Sequence, residues 1–178
     1  MHKDLDRILI TEEEISGIVY DIAKRIDEDY RGEEVVFLVI LKGSMPFATD
    51  LMRKVHIPVI VDFMQASSYG SGAKSSGKIN IKHDLSENIE GKNVLIIEDI
   101  IDSGNTLFAL KKYLSEKNPK SLKICTLLDK PDRREADVKS DYVGSVIPDE
   151  FVVGYGLDFA ERYRELPYVG ILSRRIYE

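Results

Sequence analysis

Val94-Leu95-Ile96-Ile97-Glu98-Asp99-Ile100-Ile101-Asp102-Ser103-Gly104-Asn105-Thr106 is the stretch that decides the fold and most of the function. Its first four residues are apolar on both faces and read as a buried strand, while Leu107, Leu110 and Leu114 recur at helical spacing behind the turn. Carboxylates and a hydroxyl-glycine turn therefore lie between a strand and a helix start. The hydroxyls of Ser103 and Thr106, the freedom of Gly104 in φ and the free N–H groups of a helix N-terminus suit a phosphate. Glu98, Asp99 and Asp102 cannot bind phosphate directly and suit sugar hydroxyls, a divalent cation or proton transfer. Helix capping by Asp102 or Ser103 would explain one such residue. It would not explain Glu98 and Asp99 as well, so the residues favour a phosphosugar site. There is no Walker A run, and the glycines elsewhere match no dinucleotide fingerprint.

Upstream, Val35 to Leu41 is a second buried strand, and Lys42-Gly43-Ser44 turns the chain into a helix with Pro46 in its first turn. Thr11 and Glu14 form a capping box ahead of Ile15, Ile18, Val19, Ile22, Ala23 and Ile26, which predicts an amphipathic helix over 11–30. Pro58 to Phe63 and Leu122 to Leu128 read as further strands, Asn118-Pro119 stops the third helix, and Pro131 to Lys139 is a charged loop. Tyr142–Ile147, Phe151–Tyr155 and Val169–Leu172 are short late strands. Strand alternating with helix predicts an open α/β sheet with a parallel core, whose ligands bind beyond the carboxyl ends of the strands. The segments after Leu41, Ile97 and Leu128 are thus the places to look. The polar stretch from Gln65 to Asn93 favours a lid over an idle loop, and Ile79, Ile81 and Leu85 alternate as in a two-stranded arm.

With 178 residues, the chain fits one domain. Its formal charge of −6 and pI of about 5.2 argue against nucleic-acid binding by bulk electrostatics. The longest apolar run, Val35 to Leu41, is far short of the roughly 20 residues of a membrane helix. The charged start Met1 to Arg7 lacks the apolar core of a secretory signal, and the single Cys125 cannot form an internal disulfide. These features point to a cytoplasmic protein.

The segment Val94–Thr106 resembles the phosphoribosyl pyrophosphate motif of the type I phosphoribosyltransferases. Leu41-Lys42-Gly43-Ser44, Ser68-Tyr69, Leu127-Leu128-Asp129-Lys130 and Phe151-Val152-Val153-Gly154-Tyr155-Gly156-Leu157-Asp158 are similar, in order, to the hypoxanthine-guanine branch, from about residue 5 to 175. The resemblance implies the type I fold: a twisted sheet with a parallel core of about five strands, flanking helices, and a small hood built from the N-terminal segment and about 148–178. It implies transfer of the phosphoribosyl group of phosphoribosyl pyrophosphate to a 6-oxopurine, giving IMP or GMP and releasing pyrophosphate, with Mg2+ as cofactor.

By that resemblance Glu98 and Asp99 serve the ribose and magnesium, with Asp158 as a further magnesium contact. Asp102 is the general acid/base at purine N7, and Asp102, Ser103, Gly104, Asn105 and Thr106 hold the 5′-phosphate. Lys42, Gly43 and Arg164 contact pyrophosphate, in a loop whose Leu41–Lys42 peptide can be cis. Lys130 has three donors and no acceptor, so it favours a 6-oxo over a 6-amino group. Phe151 stacks on the base, and the carbonyls of Val152 and Asp158 accept its N1 or 2-amino protons. Ser68 and Tyr69 belong to a mobile lid at about 65–78. On residue type alone, Lys42 and Lys130 read as solvated lysines, Arg164 as an ion-pair partner of Glu161, and Phe151 as a core aromatic. Two rivals remain: a xanthine-accepting phosphoribosyltransferase, and a nucleotide-binding regulator on the same fold, against which the acid at Asp102 argues. Relatives form homodimers and homotetramers, and the same is expected here.

Overall fold

The computed structural model describes residues 1–68 and 79–178. In chain order the elements are β1 (Leu5–Ile10), α1 (Glu12–Asp29), β2 (Val35–Ile40), α2 (Met45–Met52), β3 (Val59–Ser68), β4 (Ile79–His83), β5 (Asn93–Ile101), α3 (Asn105–Ser115), β6 (Ser121–Asp129), β7 (Tyr142–Val146), β8 (Val152–Val153) and β9 (Val169–Leu172). They form a six-stranded sheet in the order β4-β3-β2-β5-β6-β7 and a three-stranded sheet in the order β1-β9-β8. In the larger sheet β3, β2, β5, β6 and β7 run parallel, and β4 is antiparallel to β3. The expected parallel core is present.

Strand side chains alternate between faces, and here each face has its own helices. Val35, Phe37, Val39, Leu95, Ile97, Cys125 and Leu127 pack with α1 and α2. Val36, Leu38, Ile40, Val94, Ile96 and Ile124 pack with Leu107, Leu110 and Leu114 of α3. Burial on both faces is why these strands are continuously apolar. Cys125 lies in this core, where burial pushes its thiol up. Thr11 and Glu14 make the reciprocal capping box: the Glu14 N–H donates to Thr11 Oγ1 at 3.2 Å and the Thr11 N–H to Glu14 Oε2 at 2.7 Å.

Three boundaries differ from the sequence expectation, each because of a pairing partner. β3 continues to Ser68 because β4 pairs with it, Ala66 opposite Ile81 and Ser68 opposite Ile79. β5 does not stop at Ile97: Glu98 pairs with Thr126 and Ile100 with Leu128, so the acids end a strand instead of starting a loop. Between Phe151 and Tyr155 only Val152 and Val153 are strand, held to β9. The strand β1, whose charged residues hid it, pairs antiparallel with β9 and brings the two ends of the chain together. Tyr69 and the remainder of the expected lid to residue 78 lie outside the described residues. Among the described residues, no helix is long and apolar enough to cross a membrane.

Candidate active site

The carboxyl ends of β2, β5 and β6 open on the same side, as a parallel sheet requires. After β2 the Leu41–Lys42 peptide is cis. The Ser44 hydroxyl donates to the Ile40 carbonyl, and the Leu41 N–H donates to the Met64 carbonyl at 2.8 Å, so the turn is tied to the end of β2 and to β3. At Gly43 a Cβ would lie 1.6 Å from Asp99 Oδ2. The loop therefore closes onto the acid at the end of β5 only because that position has no side chain. Gly156, at φ +100°, approaches from the other side: a Cβ there would lie 1.9 Å from the Gly43 carbonyl oxygen.

Glu98 and Asp99 are adjacent, and the Asp99 N–H donates to Glu98 Oε1 at 3.3 Å. Burial, and then the neighbouring Asp99 charge, push the Glu98 carboxyl well above the usual glutamate value. Burial also raises Asp99, against the N–H donor of Ile100 at 2.7 Å and the positive charge of Arg164. Two adjacent carboxyls in this environment are relieved either by taking up a proton or by a bound cation.

Beyond β5 the chain turns at Gly104, whose φ of +80° makes it the N-cap of α3, without a side-chain cap. Asp102 is not the capping residue, whereas the Ser103 hydroxyl accepts from the N–H of Asn105, the first residue of α3, at 3.4 Å. A segment after β6 encloses this turn. Arg134 donates from Nε to the Asp102 carbonyl at 3.0 Å and from Nη1 to the Val138 carbonyl at 2.9 Å, and it pairs with Asp129. The N–H groups of Glu135 and Ala136 donate to the Ser103 carbonyl at 2.9 and 3.1 Å. These bonds hold the loop at its carbonyls, while the first N–H groups of a helix have no partner within the helix.

Two cavities meet at Asp102. The first, about 320 Å³, is lined by Lys42, Gly43, Glu98, Asp99, Asp102, Ser103, Gly104, Thr106, Asp158 and Arg164. The second, about 430 Å³, is lined by Asp102, Lys130, Arg133, Phe151, Val152, Leu157, Asp158 and Tyr177. Asp102 and Asp158 border both. Asn105 borders neither; its amide donates to Glu135 at 2.7 Å, so its contribution to the loop is its backbone. Ser68 ends β3, and Tyr69 lies outside the described residues.

Cations ring the first cavity. Arg164 contacts Asp158 at 2.8 Å and Glu161 at 3.5 Å and donates to the Gly156 carbonyl at 2.7 Å. Lys42 pairs with Glu161 at 2.9 Å, and that lysine holds the Glu161 carboxyl below its ordinary value. In the second cavity Lys130 is 6% exposed, so it is no surface lysine. Its ammonium donates to the Glu150 carbonyl at 2.6 Å, and desolvation lowers its pKa against the attraction of Asp102 and Asp149. Phe151 is 37% exposed, so it is no core aromatic either. Asp102 Oδ1 meets Arg133 Nε at 3.0 Å, as an ion contact without hydrogen-bond alignment.

Sequence reasoning missed Arg133, Arg134, Gly156 and Tyr177. The two arginines follow Lys130 in a charged loop that gave no signal beyond its charge, and Tyr177 reaches the site through the pairing of β9 with β8, which sets Leu172 against Phe151. Gly156 was visible as a glycine inside the Phe151–Asp158 motif.

A family model described as "Phosphoribosyl transferase domain" matches residues 7–160. The hypoxanthine-guanine phosphoribosyltransferase of Staphylococcus aureus (strain Mu50) is 48% identical over 177 residues, covering 99% of both chains. A crystal structure of a hypoxanthine phosphoribosyltransferase from S. aureus superposes with a TM-score of 0.97 at 48% identity, over 100% of this chain and 97% of that one. A hypoxanthine-guanine phosphoribosyltransferase structure from Bacillus anthracis gives 0.91 at 49% identity, over 94% and 99%. The chain is also 48% identical to the bifunctional protein TilS/HprT of Listeria monocytogenes, of whose length it spans 27%. Sequence, fold and the two joined cavities agree: the chain belongs to the phosphoribosyltransferase family, in its hypoxanthine-guanine branch.

Proposed function

We propose that this chain transfers the 5-phosphoribosyl group of phosphoribosyl pyrophosphate to hypoxanthine or guanine, giving IMP or GMP plus pyrophosphate, as a purine salvage enzyme. The observation that carries this reading is the place of Asp102 at the junction of an acid-, glycine- and cation-lined cavity and a cavity bearing a buried lysine and an open aromatic ring. A sugar-phosphate donor and a planar oxo-base would meet at that carboxylate.

The 5′-phosphate sits on the turn from Asp102 through Ser103, Gly104 and Asn105 to Thr106, taken by N–H groups and the two hydroxyls. Lys42, the Gly43 backbone and Arg164 receive the pyrophosphate, its anionic groups replacing the acids that the two cations now contact. Glu98 and Asp99 face the ribose hydroxyls. Their two hard carboxylates fit Mg2+, which takes one or two carboxylates and fills its octahedron with water and substrate phosphate. Asp158 lines the same cavity, but Arg164 and the Glu161 N–H engage its two oxygens, and among the described residues no three such ligands gather. When bound, Mg2+ supplies neutralisation of the leaving pyrophosphate.

In the second cavity, the Lys130 ammonium donates to the 6-oxo group, Phe151 stacks on the base, and the Val152 and Asp158 carbonyls accept its N1 or 2-amino protons. Asp102 takes or returns the proton at N7 as the bond to the ribose forms or breaks. Of the lid expected at about 65–78, Gln65 to Ser68 belong to β3, and Tyr69 onward lies outside the described residues. The whole of 1–178 acts as one domain, with β1, β8 and β9 as the hood over the base.

The reading is of a cytoplasmic enzyme without nucleic-acid or membrane partners. It acts as a homodimer or homotetramer, for which the exposed apolar side chains Met45, Met52, Val61 and Phe63 on α2 and β3 offer a surface. The test is pyrophosphate release from phosphoribosyl pyrophosphate and magnesium with hypoxanthine, guanine, xanthine, adenine or uracil. Release with the first two and little with adenine or uracil is expected. Release with xanthine at a comparable rate supports the xanthine-accepting alternative, and release with none, in protein that still binds phosphoribosyl pyrophosphate, supports the regulator.

A further inference from the structure

The Phe151 ring does not stand alone at the base cavity. The plane of Tyr177 lies 27° from it with centroids 5.0 Å apart, and Phe159 meets it edge-on at 5.6 Å. Tyr177 and Phe159 are themselves 6.4 Å apart, so the three rings form one cluster. Tyr177 also borders the base cavity, and it does not border the phosphosugar cavity.

Several contacts hold Tyr177 in that place. Arg174–Ile176 form a 3-10 turn, after which the Tyr177 N–H donates to the Arg174 carbonyl at 3.1 Å. The segment is pinned to the start of the chain: the Ser173 N–H donates to the Asp4 carbonyl at 2.9 Å, and Arg175 Nη2 to the Lys3 carbonyl at 2.7 Å. One residue earlier, the Leu172 N–H donates to the Phe151 carbonyl at 2.8 Å. The same stretch therefore grips Phe151 twice, at its backbone and at its ring. Phe151 itself lies outside any strand and is partly exposed, and the rings of Tyr177 and Phe159 are packed on it. An offset-stacked neighbour fixes the ring plane, because a quadrupolar ring has a preferred plane and spacing against another.

We infer that Tyr177 is a positioning residue for the purine: it backs the Phe151 ring and sets the plane against which a 6-oxopurine stacks. The inference rests on Phe151 being the base platform. Its effect belongs to the base alone, and it needs the tyrosine ring and not the hydroxyl.

Steady-state kinetics of the full chain, with magnesium, hypoxanthine and phosphoribosyl pyrophosphate, test this in Tyr177→Ala, Tyr177→Phe and Phe151→Ala. Tyr177→Ala should raise KM for hypoxanthine about two- to tenfold, the range of one aromatic pair. KM for phosphoribosyl pyrophosphate and kcat should stay as in the parent, and Tyr177→Phe should restore the base KM. Phe151→Ala should raise the base KM at least as much. A rise of both substrates' KM together would mark a general structural role and overturn the inference. An unchanged hypoxanthine KM in Tyr177→Ala, with a raised one in Phe151→Ala, overturns it and leaves the base platform standing. A lowered KM would show that Tyr177 occupies the place of the base, which also overturns it. No change in either variant overturns the role of Phe151 and the inference with it.

Discussion

The two cavities that meet at Asp102 are built in different ways. The side proposed for the phosphosugar is made of strand ends and a turn, packed so closely that glycines at 43, 104 and 156 leave no room for a Cβ. The side proposed for the base draws its distinguishing side chains from separate elements: Lys130 after β6, Phe151 before β8, and Tyr177 after β9. Backbone sites tolerate little change, whereas side-chain sites can be retuned one contact at a time. The first kind is suited to a donor that never varies, the second to choosing among bases.

Substitution should expose that contrast most strongly at Gly43. In Gly43→Ala the new methyl would collide with Asp99 Oδ2, displacing either the loop after β2 or the acid. A misplacement of about 1 Å costs on the order of 100-fold in turnover. The check is kcat with saturating hypoxanthine, together with circular dichroism to confirm folding. A variant within threefold of the parent would show that the two loops are not tightly joined.

On the base side the loss should be smaller and confined to the base. Lys130→Met keeps the buried stem and removes the charged donor, so kcat/KM for hypoxanthine should fall about 10- to 100-fold, the worth of a hydrogen bond to a charged group. Affinity for phosphoribosyl pyrophosphate, measured by calorimetry, should not move. An equal fall in donor affinity would erase the distinction between the cavities.

Framework residues should move stability and neither specificity. Asp62, 3% exposed, accepts from the N–H groups of Phe63, Ser86 and Glu87 and from the Ser86 hydroxyl, all at 2.8 Å. Burial pushes its carboxyl up, but those donors outweigh burial and hold it below the ordinary value of 3.8. The folded-state pKa is thus the depressed one. The stabilisation is present above the unfolded pKa and is lost as pH falls through the folded one. Asp62→Ala should cost about 2 kcal/mol at neutral pH, and urea titrations at descending pH should show a shallower loss than in the parent. Thr11→Ala, which removes half of the capping box of α1, should cost about 1 kcal/mol by the same method. Changed base preference in either variant would mean that the framework and the sites are coupled.

This division also explains what could be read from the chain. Val94–Ile97 and Val35–Ile40 announce a parallel core because burial on both faces leaves an unbroken apolar run. Glu98 to Thr106 are contiguous, since a phosphate turn at a helix start is a local object. Strand β1 stayed hidden because Asp6 and Arg7 interrupt its pattern, and its partner lies at the far end of the sequence. Arg134 and Tyr177 were illegible for the same reason: their contacts with the Asp102 carbonyl and the Phe151 ring are made across the fold. The roles given to Lys42 and Lys130 came from family resemblance. The charge and burial around them were visible only in three dimensions.

The central claim is that Asp102, where the cavities meet, moves the N7 proton. Asp102→Asn keeps shape and polarity while removing the titratable group, and pre-steady-state turnover with hypoxanthine can be set beside the dissociation constant for phosphoribosyl pyrophosphate. Loss of a general acid/base costs about 10²- to 10⁴-fold. The account therefore predicts a kcat lowered by at least about 100-fold, with donor affinity within about threefold of the parent. Turnover near the parent value would contradict it, and would leave Asp102 as a structural member of the phosphate turn.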